Sequence, residues 1–175
     1  MQMIHEPFEG DVNDKAAWIA QGERWEKQFV EEVCGPHELA FSINPGKALD
    51  PTLPDLIYTE GRRCYVCDLK CVFSPFGTEP DIVPINTHAL SSYAIPGGSH
   101  AATAVAFWVE WEEQVKHGEI VPAKQGVWTA PVSKLAEQAG RGELRIYEYP
   151  NRRNDRLGNA KSSYLLDLRE MRRWV

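Results

Sequence analysis

Two strand-like runs separated only by Gly61-Arg62 constrain this chain more than any other feature. Asp55–Glu60 (Asp-Leu-Ile-Tyr-Thr-Glu) and Arg63–Val72 (Arg-Cys-Tyr-Val-Cys-Asp-Leu-Lys-Cys-Val) are rich in β-branched and aromatic residues. A two-residue loop that begins with glycine suits a type II′ turn, and such a turn fixes one antiparallel register. Glu60 then faces Arg63, Thr59 faces Cys64, Tyr58 faces Tyr65, Ile57 faces Val66 and Leu56 faces Cys67. One pair further on, Asp55 faces Asp68. Opposed residues hold their Cβ atoms about 4.5–5.5 Å apart, and opposed like charges destabilise a sheet. A divalent cation bridging the two carboxylates is the simplest relief, because hard cations such as Mg²⁺ take oxygen ligands.

Strand parity adds Lys70 to the face of Asp68 and turns Leu69 to the other face. An ammonium beside a carboxylate pair can hold phosphate oxygens or orient a water, which is what metal-assisted hydrolysis of a phosphodiester needs. The plainer reading is a charged hairpin end that keeps a sheet edge soluble. Pro54-Asp55 at the head of one strand and Asp68-Leu69-Lys70 in the next, at hairpin-compatible spacing, favour the site.

Pro54-Asp55, twelve intervening residues and Asp68-Leu69-Lys70 resemble the PD-(D/E)xK signature of the restriction-endonuclease-like nuclease superfamily. The resemblance covers residues 14–130, and the compact chain with a Ser-Pro-Phe loop after this motif is similar to small phage-encoded members. It implies an α/β fold with an α-β-β-β-α-β core and a mixed central sheet flanked by helices. It further implies a metal-dependent nuclease, a Mg-dependent deoxyribonuclease leaving a 5′-phosphate and a 3′-hydroxyl. Asp55 and Asp68 would bind Mg²⁺ or Mn²⁺ with the Leu69 carbonyl, and Lys70 would position the water and stabilise charge on the phosphate. Members of the superfamily often add a glutamate from the first helix, where this chain offers Glu23, Glu26, Glu31 and Glu32. On a helical wheel Glu26 lies about 60° from the centre of the apolar stripe and Glu23 about 120°, so of these two Glu26 is the one that can reach the sheet rim, where it would complete the metal shell or hold a second ion; an ordinary solvated helix glutamate accounts for it equally well. The alternative is a catalytically inactive protein of this fold that binds nucleic acid or a protein partner.

The rest of the chain organises around that hairpin. Residues 14–34 read as a helix, with Trp18, Gly22, Trp25, Phe29 and Val33 on one stripe, Asn13 or Asp11 as N-cap and Gly35-Pro36 as its stop. Glu38–Asn44 reads as a first strand, so three strands should form an antiparallel meander. Phe73–Ser99, with four prolines and a Gly-Gly pair, reads as mostly irregular. The spacing of Ala101, Ala104, Trp108, Trp111 and Val115 predicts a second helix over His100–His117, capped by Ser99. Gly126–Ala130 reads as a strand that can lie parallel to a neighbour, Pro131–Ala139 as a short helix, and Glu143–Tyr149 and Ser163–Leu168 as two further strands. The expected organisation is a single domain over 1–175: a loose arm (1–13), a nuclease-like core (14–130) and a basic, β-rich C-terminal extension (131–175). Cys64, Cys67 and Cys71 cannot share one metal from a regular strand, since Cys64 points to one face and the other two to the opposite one. Buried free cysteines are expected instead.

At 175 residues, 43% hydrophobic and 25% charged, the composition is that of a soluble globular fold, and its net charge of −6 excludes a simple basic DNA-wrapping protein. Charge is uneven, however: residues 141–175 hold nine of the 19 Lys and Arg but five of the 25 acids. Arg152, Arg153, Arg156 and Lys161 lie in a loop-like run among small polar donors, which suits contact with the DNA phosphate backbone. A solvated connection between strands accounts for the same run equally well. The apolar run at 101–109 is too short to cross a bilayer, no signal peptide is evident, and the cysteine usage points to a reducing cytoplasm (that of a host cell if phage-encoded). A homodimer would suit an enzyme that cuts duplex DNA. The five histidines are scattered and form no catalytic pattern, and the lack of phosphate-loop glycine motifs gives no support to nucleotide-cofactor readings.

Overall fold

The computed structural model describes residues 15–50, 53–149 and 161–175. The expected arm 1–13 with its N-cap, and Arg152, Arg153 and Arg156, lie outside the described residues, as does the side chain of Trp18. The first helix, α1 (Lys15–Phe29), runs into a π-helical turn, Val30–Cys34, closed by a Gly35 N–H to Val30 carbonyl bond of 2.8 Å. Three strands follow as the meander the turns imply: β1 (Ala40–Ile43), β2 (Leu56–Glu60) and β3 (Arg63–Val72). The β2–β3 register is the expected one, from Glu60 opposite Arg63 to Leu56 opposite Cys67. Gly61 sits at φ +60° and Arg62 does not share the positive φ, as a type II′ turn requires.

Phe73–Ser99 is more regular than its prolines suggest: it contains β4 (Ile82–Asn86) and α2 (Thr87–Tyr93). Pro84 is tolerated because β4 is the edge of a three-stranded sheet, with β10 (Ser162–Asp167) beside it and β9 (Arg145–Glu148) beyond. The Asn86 side chain caps α2 by accepting from the His88 N–H at 2.8 Å.

The expected helix over His100–His117 is instead β5 (Ala104–Trp111) followed by β6 (Gln114–Lys116), which pairs with β7 (Glu119–Val121). His117 and Gly118, both at positive φ, turn that second hairpin. β5 lies at the centre of the six-stranded sheet β1-β2-β3-β5-β8-β11, between β3 and β8 (Lys124–Pro131), with β11 (Arg172–Arg173) at the far edge. A strand covered on both faces is apolar at nearly every position, so helical spacing is satisfied by accident. Its two faces separate cleanly: Ala104, Ala106 and Trp108 pack with Phe29, Val33 and Leu56, and Val105, Phe107 and Val109 with Leu90, Tyr93, Val132 and Leu135. β5 runs parallel to β3, and β4 and α2 form the crossover between them. The order α1, β1, β2, β3, α2, β5 thus reproduces the expected α-β-β-β-α-β sequence of elements in a mixed α/β fold, with β4 inserted.

The short helix α3 (Val132–Gly140) and the late strands form close to where they were expected, and β10 and β11 join strands of the core rather than standing apart. Trp25, Trp108, Trp111, Trp128 and Trp174 are all buried. The cysteines are free, but only Cys34 and Cys67 are fully buried; Cys71 is intermediate and Cys64 is exposed at the hairpin end. No helix among the described residues is long and apolar enough to cross a membrane.

Candidate functional site

The site forms where β2 runs out beside β3. The ladder ends at Leu56 opposite Cys67, so the next edge-facing N–H of β3, that of Leu69, has no strand to bond. The Asp55 carboxylate takes its place: Oδ2 accepts from the Leu69 N–H at 2.5 Å. N–H and C=O of one extended residue point to the same side, so the Leu69 carbonyl faces this open edge as well. Asp55 is therefore fixed beside Asp68-Leu69-Lys70 by a bond that the hairpin register alone sets up.

Asp68 stands on the face of β3 that α2 covers, with its side chain 9% exposed. Its Oδ2 accepts from the Tyr93 hydroxyl at 2.7 Å and meets the Lys70 ammonium at 2.6 Å. Burial pushes the Asp68 pKa up, Lys70 opposes that, and the charge of Asp55 adds to it. Burial works against the Lys70 ammonium, but Asp68 and Tyr93 more than offset it and hold Lys70 protonated. Burial and the nearby carboxylate likewise keep the Tyr93 phenol a donor. The Lys70 side chain remains 39% exposed, so Lys70 is the more open partner of the Asp68–Lys70 pair.

Glu26 of α1 arrives at the rim, as its place on the helical wheel implied, and is 8% exposed at its side chain, whereas Glu23 faces solvent. Its partner there is Lys47, whose ammonium contacts both Glu26 Oε1 and Asp55 Oδ1. Burial raises the Glu26 pKa, Lys47 pulls it back, and Asp55 raises it again. Lys47 is carried by a 3₁₀ turn, Pro45–Ala48, and Asn44 ties that turn to the site. Asn44 Oδ1 accepts from the Gly46 N–H at 3.0 Å, its Nδ2 donates to the Pro54 carbonyl at 2.8 Å, and its N–H donates to the Asp55 carbonyl at 3.0 Å.

Of the expected site residues, Asp55, Asp68, Leu69 and Lys70 are contiguous, and Glu26 joins them through Lys47. Lys47 and Tyr93 carry no periodic signal and were not expected; Asn44-Pro45-Gly46 reads only as a turn. Among the described residues no three His, Cys, Asp or Glu side chains converge closely enough to form a ligand set by themselves. The donor chemistry nonetheless fits a hard divalent ion. Three carboxylates with little access to water face two ammonium groups, and the pKa values of Glu26 and Asp68 are raised partly by the charge of Asp55.

The expected basic surface is only partly described. Lys161 is exposed. Elsewhere in the C-terminal part arginines meet acids: Arg141 pairs with Glu137, Arg145 with Glu79, Arg169 with Asp167, and Arg172 with both Glu60 oxygens at 2.7 and 2.8 Å while stacking over Trp174. These arginines compensate acidic surface of the same chain.

A scan against protein-family models finds no match, and neither does a search of curated proteins. Among solved structures, the chain is similar to the 1.6 Å structure of Hjc, a Holliday junction resolvase from the archaeal hyperthermophile Archaeoglobus fulgidus. The TM-score is 0.41 at 11% identity, over 82% of this chain and 85% of that one. At that level of likeness activity has to be read from the site itself.

Proposed function

We propose that this chain is a metal-dependent nuclease that hydrolyses phosphodiester bonds in DNA, in the manner of the PD-(D/E)xK superfamily. The observation that carries the reading is the Asp55 carboxylate bonded to the Leu69 N–H, which holds it beside Asp68 and Lys70 at an open sheet edge. Asp55, Asp68 and the Leu69 carbonyl would hold one Mg²⁺ or Mn²⁺. Bound there, a divalent ion supplies Lewis-acid polarisation of the phosphate and a water of lowered pKa. Lys70, kept protonated by Asp68 and oriented with it by Tyr93, donates to the scissile phosphate and offsets the charge that builds on it. Tyr93 sets the Asp68 carboxylate and through it the Lys70 ammonium. Arg152, Arg153, Arg156 and Lys161 are proposed to contact the DNA phosphate backbone, which positions the duplex without reading bases.

A second reading, a nuclease-fold protein that binds nucleic acid or a protein partner without cutting, draws on one observation: Lys47 already satisfies Glu26 and part of Asp55. Plasmid nicking separates the two. Wild type should nick in Mg²⁺ or Mn²⁺ and not in chelator; Asp68→Ala should abolish nicking, and Lys70→Ala should slow it by on the order of 10²–10³-fold. Metal-independent loss of DNA, or equal cutting by folded Asp68→Ala, counts against the enzyme.

A further inference from the structure

We infer that Lys47 is the resident cation of the Glu26–Asp55 pair and closes Glu26 to divalent metal. The inference rests on the nuclease reading for the identity of the competing ion, but not for the ion pairs themselves. Glu26 and Asp55 come from different elements, α1 and the head of β2, and both place an oxygen on one ammonium. Their side chains are 8% and 13% exposed, and that of Lys47 is 20% exposed, so water does little of the compensation. A surface ion pair is a loose contact between two long side chains. Here the cation is built in: Asn44 caps the turn that carries Lys47 and with the same side chain grips the carbonyl next to Asp55. Lysine and carboxylate are thus set against each other by one residue.

The consequence concerns how many ions the acidic cluster can take. With Lys47 in place, the Glu26 carboxylate has its counter-charge, and only the inner donors, Asp55 Oδ2, Asp68 and the Leu69 carbonyl, remain for metal. Without Lys47, two poorly hydrated carboxylates are left facing the same point, a donor arrangement suited to a hard cation. Lys47 is a positioning residue, since it acts on the ligand set and not on the reacting atoms.

The test titrates Mn²⁺ into wild type, Lys47→Met and Lys47→Met/Glu26→Gln, counting bound ions by electron paramagnetic resonance and calorimetry, with melting curves alongside. We expect one Mn²⁺ per chain in wild type, one more in Lys47→Met, and loss of that extra ion when Glu26 is also neutralised. Lys47→Met should melt on the order of 5–10 °C lower without metal and recover most of that loss with Mn²⁺. Should Lys47→Met not fold, the same titration on Lys47→Gln decides between the outcomes. One ion in both wild type and Lys47→Met, or two ions in wild type, overturns the inference and leaves the nuclease reading standing. No ion in wild type with one in Lys47→Met upholds the inference and sinks the metal-dependent reading. No ion in either overturns both.

Discussion

Replacing Tyr93 by phenylalanine removes one oxygen and keeps the ring in the core cluster it shares with Leu90, Val105 and Phe107, so it isolates a single bond at the centre of the site. That bond runs from the Tyr93 hydroxyl to Asp68 Oδ2 at 2.7 Å. A hydrogen bond to a charged group contributes about 1.5–3 kcal/mol. Asp68, 9% exposed at its side chain, has little water to replace the lost donor. For a chain of this size each kcal/mol moves the midpoint by roughly 2–4 °C, so Tyr93→Phe should melt about 3–12 °C lower in metal-free buffer. The measurement is calorimetry or urea unfolding, repeated in an Asp68→Ala background, where the cost of Tyr93→Phe should vanish. The cost should also shrink on acidification, because the bond serves the ionised carboxylate. An equal cost in both backgrounds would mean that the hydroxyl works elsewhere and that Asp68 is held by other groups.

Glu32, its pKa also raised by burial, adds in the same direction to the pH dependence that the metal-free protein owes to Glu26 and Asp68. Burial raises both folded-state values above the ordinary 4.5 and 3.8, so in the window above those values the folded state holds more protons than the unfolded one. Stability should therefore fall as pH rises through that window, and the Mn²⁺-induced rise in melting temperature should grow over the same range; Asp167, held low by Arg169, works the other way only below its ordinary 3.8. Thermal melts across mildly acidic to neutral pH, with and without Mn²⁺, check both slopes. Thiol reactivity offers an independent check of burial: Cys64 is exposed, whereas burial pushes Cys34 up to about 11 and raises Cys67 and Cys71 well above the ordinary thiol value. In a mildly alkaline thiol assay Cys64 should react fast and the other three only on unfolding.

The parts of this fold that were legible in the sequence are those set by local chemistry. Gly61-Arg62 dictates a turn type, the turn dictates a register, and the register brings Asp55 to Asp68-Leu69-Lys70. The α1 stripe singled out Glu26 over Glu23 for the same reason, a period read over neighbouring turns. What failed was local signal overridden by tertiary context. β5 is covered on both faces, so its unbroken apolar run mimics a helix face as well as a strand. β4 keeps Pro84 because it is an edge, a fact decided by β10, some eighty residues later in the chain. Lys47 and Tyr93 were out of reach because their partners are chosen by the packed fold, Lys47 from a turn after β1 and Tyr93 from a helix hidden among prolines. The hairpin announces the acids of the site, whereas the groups that neutralise and orient them emerge only once the sheet is assembled.

On the proposed function, Asp55, Asp68 and the Leu69 carbonyl converge on one divalent ion with Lys70 beside it. Anomalous scattering from crystals soaked in Mn²⁺ decides whether they do. One peak per chain is expected between Asp55 and Asp68, about 2.0–2.6 Å from their oxygens and from that of Leu69. A peak held elsewhere, or none at saturating Mn²⁺ with both carboxylates still engaged by Leu69, Lys47, Lys70 and Tyr93, would contradict it.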